Sequence, residues 1–190
     1  WATLIFRRLM MNPEFKNEFI QRMAAHISTT FETSRSLSVL DSIRGLLVNE
    51  MPKHKVRWPN SISFGATWDV QIDLIREFIT LRPGSMRQFF YDRFGLPGSF
   101  SVHLTSNDST AGSVIAHTVP MKWNAKPVFF KGVPLKLRAL PNAGYRFVRW
   151  EGFVSGTGEK IEILPTANIT LKAIFEPWTP ADSQLVINEI

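Results

Sequence analysis

The sequence predicts an α+β protein, with an N-terminal helical subdomain of four or five helices followed by a small antiparallel β-domain of about six strands. Up to about residue 96 the apolar residues recur every three or four positions, as on one face of a helix. From residue 98 they alternate with polar residues, as in a half-buried strand. Between the two regions, Gly95-Leu96-Pro97-Gly98 combines residues that end helices. We therefore expect a helical part at 1–97, a β-module at 98–178 and a tail at 179–190.

Each predicted helix combines an apolar stripe with a start or stop signal. The first ten residues suit a short helix, and Pro13 stands where a second helix begins. A third helix is expected to end or kink at Pro52. Thr67 predicts the start of a fourth helix, and Pro83 that of a fifth, which ends at Gly95.

The β-region contains six short alternating runs, separated by turn-forming residues such as Pro141-Asn142-Ala143-Gly144. The runs span residues 100–105, 112–119, 133–139, 145–150, 160–164 and 169–175. Short strands with turn signals between them are typical of a small antiparallel β-domain.

The composition excludes several classes of protein. With 190 residues, 15 Phe and 6 Trp, the chain has enough apolar surface to fold, so it is not disordered as a whole. No apolar run approaches the ~20 residues of a membrane-spanning helix, and the lack of Cys removes disulfides and thiolate metal sites. The net charge of +6 is spread over both halves, so we expect no nucleic-acid partner.

Several short motifs follow one another in the helical part. They are Phe6-Arg7-Arg8-Leu9, Asn12-Pro13-Glu14-Phe15-Lys16, Glu50-Met51-Pro52-Lys53-His54 with Arg57-Trp58, Trp68 with Arg82-Pro83, and Arg87-Gln88-Phe89-Phe90 leading to Phe94-Gly95-Leu96. In order and spacing they resemble the C-terminal part of the CotH family, the spore-coat-protein-H-like atypical protein kinases. The resemblance implies that ATP, Mg²⁺ and the catalytic groups belong to a kinase region upstream of these residues.

A second group of motifs marks the β-region. The segment 135–139 is followed by a Gly-Tyr-x-Phe-x-x-Trp run at 144–150 and by an alternating strand at 169–176. Together they resemble the bacterial repeat modules named after the internalin B-repeat, and residues 184–190 are similar to the first strand of a lamin-tail-like domain. These resemblances imply a large exported bacterial protein, extracellular or at the cell surface, in which the β-module is a spacer or adhesion unit.

Catalytic motifs are lacking in the sequence. It has no glycine-rich phosphate loop, no Asp-x-Asp pair and no catalytic Asp followed by a metal-binding Asn, and its four His lack zinc-ligand spacing. Because residue 1 is Trp and the last residues stop within an apolar run, we expect an internal piece of a longer polypeptide. We expect this piece to be non-catalytic and to bind no cofactor of its own.

The densest basic stretch consists of Lys53, His54, Lys55 and Arg57, next to Trp58. Cations beside an aromatic ring suit a phosphate of a nucleotide or substrate held by the upstream region. Alternatively, the ring packs against the helices and the basic groups point into water, which is the commoner arrangement.

Two other sets of charged residues lie on the predicted helices. Arg7 and Arg8 are candidates for salt bridges with the upstream kinase lobe. Asp69, Asp73 and Glu77 share one helix face and would be either a cation site or, as is usual for charged helix faces, a solvated surface.

The β-module is rich in aromatic residues, among them Trp123, Trp150 and Trp178. Exposed rings of this kind bind glycans in carbohydrate-binding modules, so a cell-surface glycan or protein is the second class of partner. Alternatively, the rings fill the thin core of a small module.

The aromatic-rich helices are expected to leave an apolar face that another domain covers. The upstream kinase lobe of the same polypeptide is the expected partner. Without it, this face favours dimerisation, because exposed apolar patches of more than a few hundred Å² bind partners.

Overall fold

The structure, a computed structural model, describes residues 3–60 and 67–179, and it confirms the α+β fold class. Five helices lie in the described part of the N-terminal region. They are α1 (Leu4–Leu9), α2 (Pro13–Ile27), α3 (Thr33–Leu47), α4 (Met51–Arg57) and α5 (Trp68–Phe94). The tail expected at 179–190, with its lamin-tail-like strand, lies outside the described residues apart from residue 179.

Two helix boundaries differ from the expectation, and both involve proline. α5 is one helix of 27 residues that continues through Pro83, so no separate helix starts there. The proline removes one backbone hydrogen bond, but Ile72 and Phe90 are buried on either side of it and hold the helix in place. Pro52 lies in the first turn of α4, where no backbone partner needs its missing N–H, so it begins a helix rather than ending α3.

Eight strands, rather than about six, lie in the part of the chain that the structure describes. They are β1 (Ser99–Ser106), β2 (Gly112–Ala116), β3 (Val119–Met121), β4 (Val128–Phe130), β5 (Leu135–Pro141), β6 (Tyr145–Gly152), β7 (Lys160–Ile163) and β8 (Ile169–Pro177). β3 and β4 have three residues each, too few for an alternating pattern to show in the sequence.

The strands form two four-stranded sheets, in the orders β4-β1-β8-β6 and β3-β2-β5-β7. β1 and β8 are parallel, with Val102 opposite Ile169, whereas the other pairs are antiparallel. The sheets are therefore antiparallel, as expected, except at this pair. Register between strands distant in the chain depends on tertiary packing, which the alternation of residues does not specify.

A single hydrophobic core joins the helices to the sheets. Ala24 and Ala25 of α2 and Phe90 of α5 belong to the same buried cluster as the inward-facing residues of both sheets. Phe90 stacks on Phe130 of β4 with ring centroids 5.4 Å apart and planes at 4°. α5 ends at Gly95, whose left-handed φ of +61° suits glycine, and the chain enters β1 four residues later.

Outside this core the helices remain largely uncovered. Among the described residues, 19 of the 22 exposed large apolar side chains lie in the helical part and only Phe153, Leu164 and Trp178 in the β-part. α3 and α4 have no buried residue. The apolar side chains of the sheets are thus mostly buried, whereas α3, α4 and the outer face of α5 present apolar surface to solvent.

Candidate functional site

The basic stretch predicted as a phosphate contact lies on α4. Lys53 Nζ is 3.0 Å from Glu50 Oε1, so its charge is paired locally. The His54 ring lies 5.0 Å from that of Trp58, and the Arg57 guanidinium carbon lies 4.8 Å from the Trp58 ring centroid. Lys55 is exposed.

This arrangement fits neither expectation completely. The basic groups do point to solvent, but Trp58 remains half exposed instead of packing into the helices. It forms a surface stack with His54 and Arg57, a geometry in which the guanidinium gains cation–π attraction. An inter-lobe or phosphate contact at this stack therefore stays a prediction.

Arg7 and Arg8 lie in the last turn of α1, where a cation is favourable near the helix C-terminus. Both are exposed. Arg7 lines a groove of about 650 Å³, with Phe19 of α2 and Phe89 and Arg93 of α5 among its walls. The groove places Arg7 and Arg93 beside apolar rings. The salt bridges with a kinase lobe stay a prediction.

Of the acidic row on α5, Asp69 takes part in a helix–helix contact, whereas Asp73 and Glu77 are exposed. Asp69 lies 3.2 Å from Arg44 of α3, and the Arg44 guanidinium carbon is 5.5 Å from the Trp68 ring centroid. Arg76 of α5 pairs with Asp41 of α3 in the same contact. Within residues 3–60 and 67–179, no group of three or more His or acidic side chains is placed to hold a metal ion.

The three candidate glycan-facing tryptophans occupy different environments. Trp150 is 0% exposed and its Nε1 donates to the Gly158 carbonyl at 3.0 Å, so the expectation of a glycan-facing ring is wrong there. Trp123 is partly buried, donates to the Gly112 carbonyl at 3.0 Å and packs edge-on against Phe175. Trp178 alone of the three is exposed, at 46%. Most of these rings therefore fill the core, as small β-modules require.

An apolar groove of about 360 Å³ lies between α2, α3 and α5. Met23 and Ile27 of α2 face Phe78, Ile79 and Met86 of α5 across it. Its side chains are almost entirely hydrophobic, so it suits an apolar side chain or helix rather than a polar substrate.

The contact between α2 and the sheets contains polar residues that the sequence did not single out. Gln21 is 0% exposed and binds the backbone of Phe130 and Val133. Seven residues along the helix, Ser28 binds the backbone of Val128. The signal available in the sequence was the spacing of Gln21 from Ala24 and Ala25, three and four residues further on, which places two small residues beside it on one helix face and permits close backbone approach.

A second polar pair, Glu18 and His117, flanks this contact. His117 Nδ1 lies 2.6 Å from Glu18 Oε2, and Lys136 N–H donates to the other ring nitrogen over 3.4 Å. Burial lowers the pKa of His117, against the raising influence of Glu18. Partial burial would raise the pKa of Glu18, but hydrogen bonds and charge from His117 and Arg22 together lower it.

No helix in the described ranges has the length and hydropathy needed to cross a membrane.

Comparisons with known families give one match in the helical part and another in the β-part. Residues 1–86 match the family model described as CotH kinase protein, and residues 102–179 match that of the divergent InlB B-repeat domain. Neither the curated proteins nor the solved structures give a significant match. The predicted resemblances to the CotH family and to the internalin B-repeat are confirmed: a region similar to CotH kinase proteins is followed by one similar to the divergent InlB B-repeat domain.

Proposed function

We propose that this chain is a non-catalytic part of an exported CotH-family protein, in which the helices support a kinase lobe and the repeat module is a spacer or adhesion unit. The observation that carries the proposal is the uneven exposure of apolar side chains, 19 in the helical part against three in the β-part. Monomeric proteins rarely expose large apolar surfaces, whereas interaction sites do. The helices therefore have the surface of a subdomain that another region covers.

The outer face of α5 shows this surface most clearly. Leu74, Phe78, Leu81 and Phe89 lie along it and line one shallow groove. Burying an apolar side chain of this size stabilises a contact by about 1.5–3 kcal/mol. The proposed occupant is the rest of the CotH-family domain, the kinase lobe that the resemblance places upstream in the same polypeptide.

Exposed cations on α1 and α4 suit polar contacts with the same kinase lobe. Arg7 and Arg8 on α1 and Lys55 and Arg57 on α4 are all exposed. At the rim of an interface such charges mainly direct association and orientation. We assign them to contacts with the kinase lobe rather than to catalysis.

The catalytic part of this proposal is tested by phosphate transfer. The 190-residue chain, incubated with ATP and Mg²⁺, should transfer no phosphate to itself or to added protein. A longer polypeptide that includes the upstream kinase region is assayed in parallel for comparison. Transfer by the 190-residue chain alone, or nucleotide held by magnesium coordinated wholly by its side chains, would contradict the proposal.

The scaffold part is tested by adding the upstream region as a separate chain. It should bind the 190-residue chain, and the double variant Leu74→Lys with Phe78→Lys should weaken binding by at least about a hundredfold, because two apolar anchors are replaced by charges. Leu164→Lys, on the exposed surface of the β-part, is the control and should bind as the parent does. Equal binding by all three chains would exclude the α5 face as the interface.

Surface localisation forms part of the same proposal. Similarity to the CotH and InlB B-repeat families suggests a surface-associated protein, and this supports export. Fractionation of the source bacterium with an antibody against the repeat module should detect the protein outside the cytoplasm. Detection in the cytoplasm alone would reject this part.

Glycan binding is the second candidate function, and Trp178 is the observation that favours it. Its ring is 46% exposed, near the turn that Gly144 occupies, because Trp178 N–H donates to the Gly144 carbonyl at 2.8 Å. A glycan array probed with the whole chain should give signals that Trp178→Ala abolishes and that the control Phe153→Ala leaves unchanged. If no glycan on the array binds the chain, glycan binding is rejected and the spacer function remains.

A further inference from the structure

The outer edge of β4 is occupied by the side chains of Gln21 of α2 and of Ser28, the residue that caps the C-terminus of α2. β4 lies at the end of its sheet, so the backbone groups of Val128 and Phe130 that point away from β1 have no strand partner. Gln21 Nε2 donates to the Phe130 carbonyl at 2.8 Å, and Phe130 N–H donates to Gln21 Oε1 at 3.1 Å. Val128 N–H donates to Ser28 Oγ at 3.0 Å, and that hydroxyl donates to the Val128 carbonyl at 3.3 Å.

These bonds replace those that another strand would make. An open edge strand attracts further strands, and buried backbone groups without partners are costly. Gln21 also donates to the Val133 carbonyl at 2.7 Å, so both of its amide hydrogens and its oxygen are used. Among the described residues, it is the only polar residue that is buried as a whole.

Apolar contacts lie on both sides of this polar line. Ala24 and Ala25 are buried and bring the α2 backbone close to the sheet. Phe130 is enclosed by Phe90, stacked at 5.4 Å, and by Tyr91, edge-on at 5.4 Å. Two helices therefore hold the edge strand. The end of α2 binds the backbone of β4, and α5 packs against the side chain of Phe130.

The covalent connection between the two parts is short and is itself held in place. Only residues 95–98 separate α5 from β1. Lys131 N–H donates to the Gly98 carbonyl at 2.9 Å, which joins this connection to the end of β4. A hinge at this position would have to break these bonds together with the contacts of Gln21 and Ser28.

We infer that α2 fastens the repeat module to the CotH-type helices, so that the two parts form one rigid and cooperatively folding unit rather than two domains on a hinge. The module then projects from the helical part in a fixed direction. This inference concerns the junction alone, so it holds whether or not the helices support a kinase lobe or the module binds a glycan.

Hydrogen exchange of the whole 190-residue chain in increasing urea tests the cooperativity. The slowest-exchanging amides of α2 and those of β1 and β8 should exchange through the same opening, with equal free energy and equal urea dependence. Strand amides that stay protected after α2 has opened would overturn the inference.

The role of the side-chain bonds is tested by Gln21→Ala, with Gln88→Ala as the matched control. Gln88 is an exposed glutamine on α5 that binds only Asp92, one turn away on the same helix. Gln21→Ala should lower the protection of the Phe130 amide about tenfold to a hundredfold, because a buried hydrogen bond is lost. The control should leave this amide unchanged.

Ser28→Ala gives a second and smaller perturbation if Gln21→Ala does not fold. It should lower the protection of the Val128 amide and leave amides of β2 and β5 as they are in the parent. Folded variants in which the Val128 and Phe130 amides keep their parental protection would overturn the assignment of α2 as the fastening element.

Discussion

His117 is the residue whose protonation depends most directly on the contact between α2 and the sheets. The charged groups that face it are Glu18 and Arg22 of α2 and Lys136 of β5. Its backbone has a φ of +55°, a conformation that Asn also adopts readily. Asn is therefore the substitution that removes the titrating ring without straining the turn.

We predict that acid destabilises the chain partly through His117. Burial lowers its folded pKa below the usual 6.5, so as the pH falls through 6.5 the unfolded chain binds a proton that the folded chain does not. The free energy of unfolding should decrease with falling pH until the folded pKa is passed. His117→Asn should reduce this decrease in urea titrations between about pH 7 and pH 5.

Glu18→Gln tests the other member of the pair. The lowered pKa of Glu18 contributes stability that is present above the usual pKa of 4.5 and is lost as the pH falls through the folded pKa. Glu18→Gln should therefore reduce the loss of unfolding free energy at a lower pH than His117→Asn does. An NMR titration that places the His117 midpoint at or above 6.5 would contradict the assignment.

Gly152 is the glycine at which a side chain is least tolerable. A Cβ there would lie 2.4 Å from the Thr170 carbonyl oxygen, and φ is +104°. Gly152→Ala should therefore destabilise the chain by at least about 2 kcal/mol in urea denaturation. Gly156→Ala, at a glycine with no atom within 4 Å of the added carbon, should change stability by less than about 0.5 kcal/mol. Similar losses for both variants would disprove the steric explanation.

At the scale of elements, Pro83 makes α5 less stable than the same helix would be without an internal proline. Replacing it by Ala restores a backbone donor inside the helix, and we predict that Pro83→Ala raises the free energy of unfolding by about 1–2 kcal/mol. Pro13→Ala is the control, since Pro13 opens α2 at a position that favours proline, and it should give no gain. A loss of stability in Pro83→Ala would show that the ring is needed in the groove beside α2.

α2 shows how far an element can be predicted from its residues. Its start at Pro13 and its apolar face through Ile20 and Ala24 follow from spacing and capping, and Asn12 Oδ1 accepts from two backbone N–H groups as an N-cap does. In the sequence, the polar side chains of Gln21 and Ser28 beside this face were indistinguishable from solvated ones. Their role depends on an edge strand 100 to 109 residues away in the chain, which no local pattern reports.

For the whole molecule, the exposed helical surface predicts self-association. Leu46 is 81% exposed, and the α5 stripe that includes Leu74 and Phe78 adds to this surface. Sedimentation of the isolated chain should show a concentration-dependent dimer or larger species, which Leu74→Lys with Phe78→Lys weakens at least about tenfold, since charges replace buried apolar groups. Leu164→Lys is the control. A parent chain that remains monomeric at high micromolar concentration would contradict the prediction.

The sequence by itself determined the change from helices to strands near residue 97, the resemblance to two families and the apolar surface expected on the helices, because periodicity, capping and motif spacing are local properties. Which tryptophans face solvent, how β1 meets β8 and what covers the edge of β4 depended on contacts between distant segments. Burial and hydrogen-bond partners belong to the folded arrangement, so Trp150 became a core residue and Gln21 a link between the two parts only once the chain was packed.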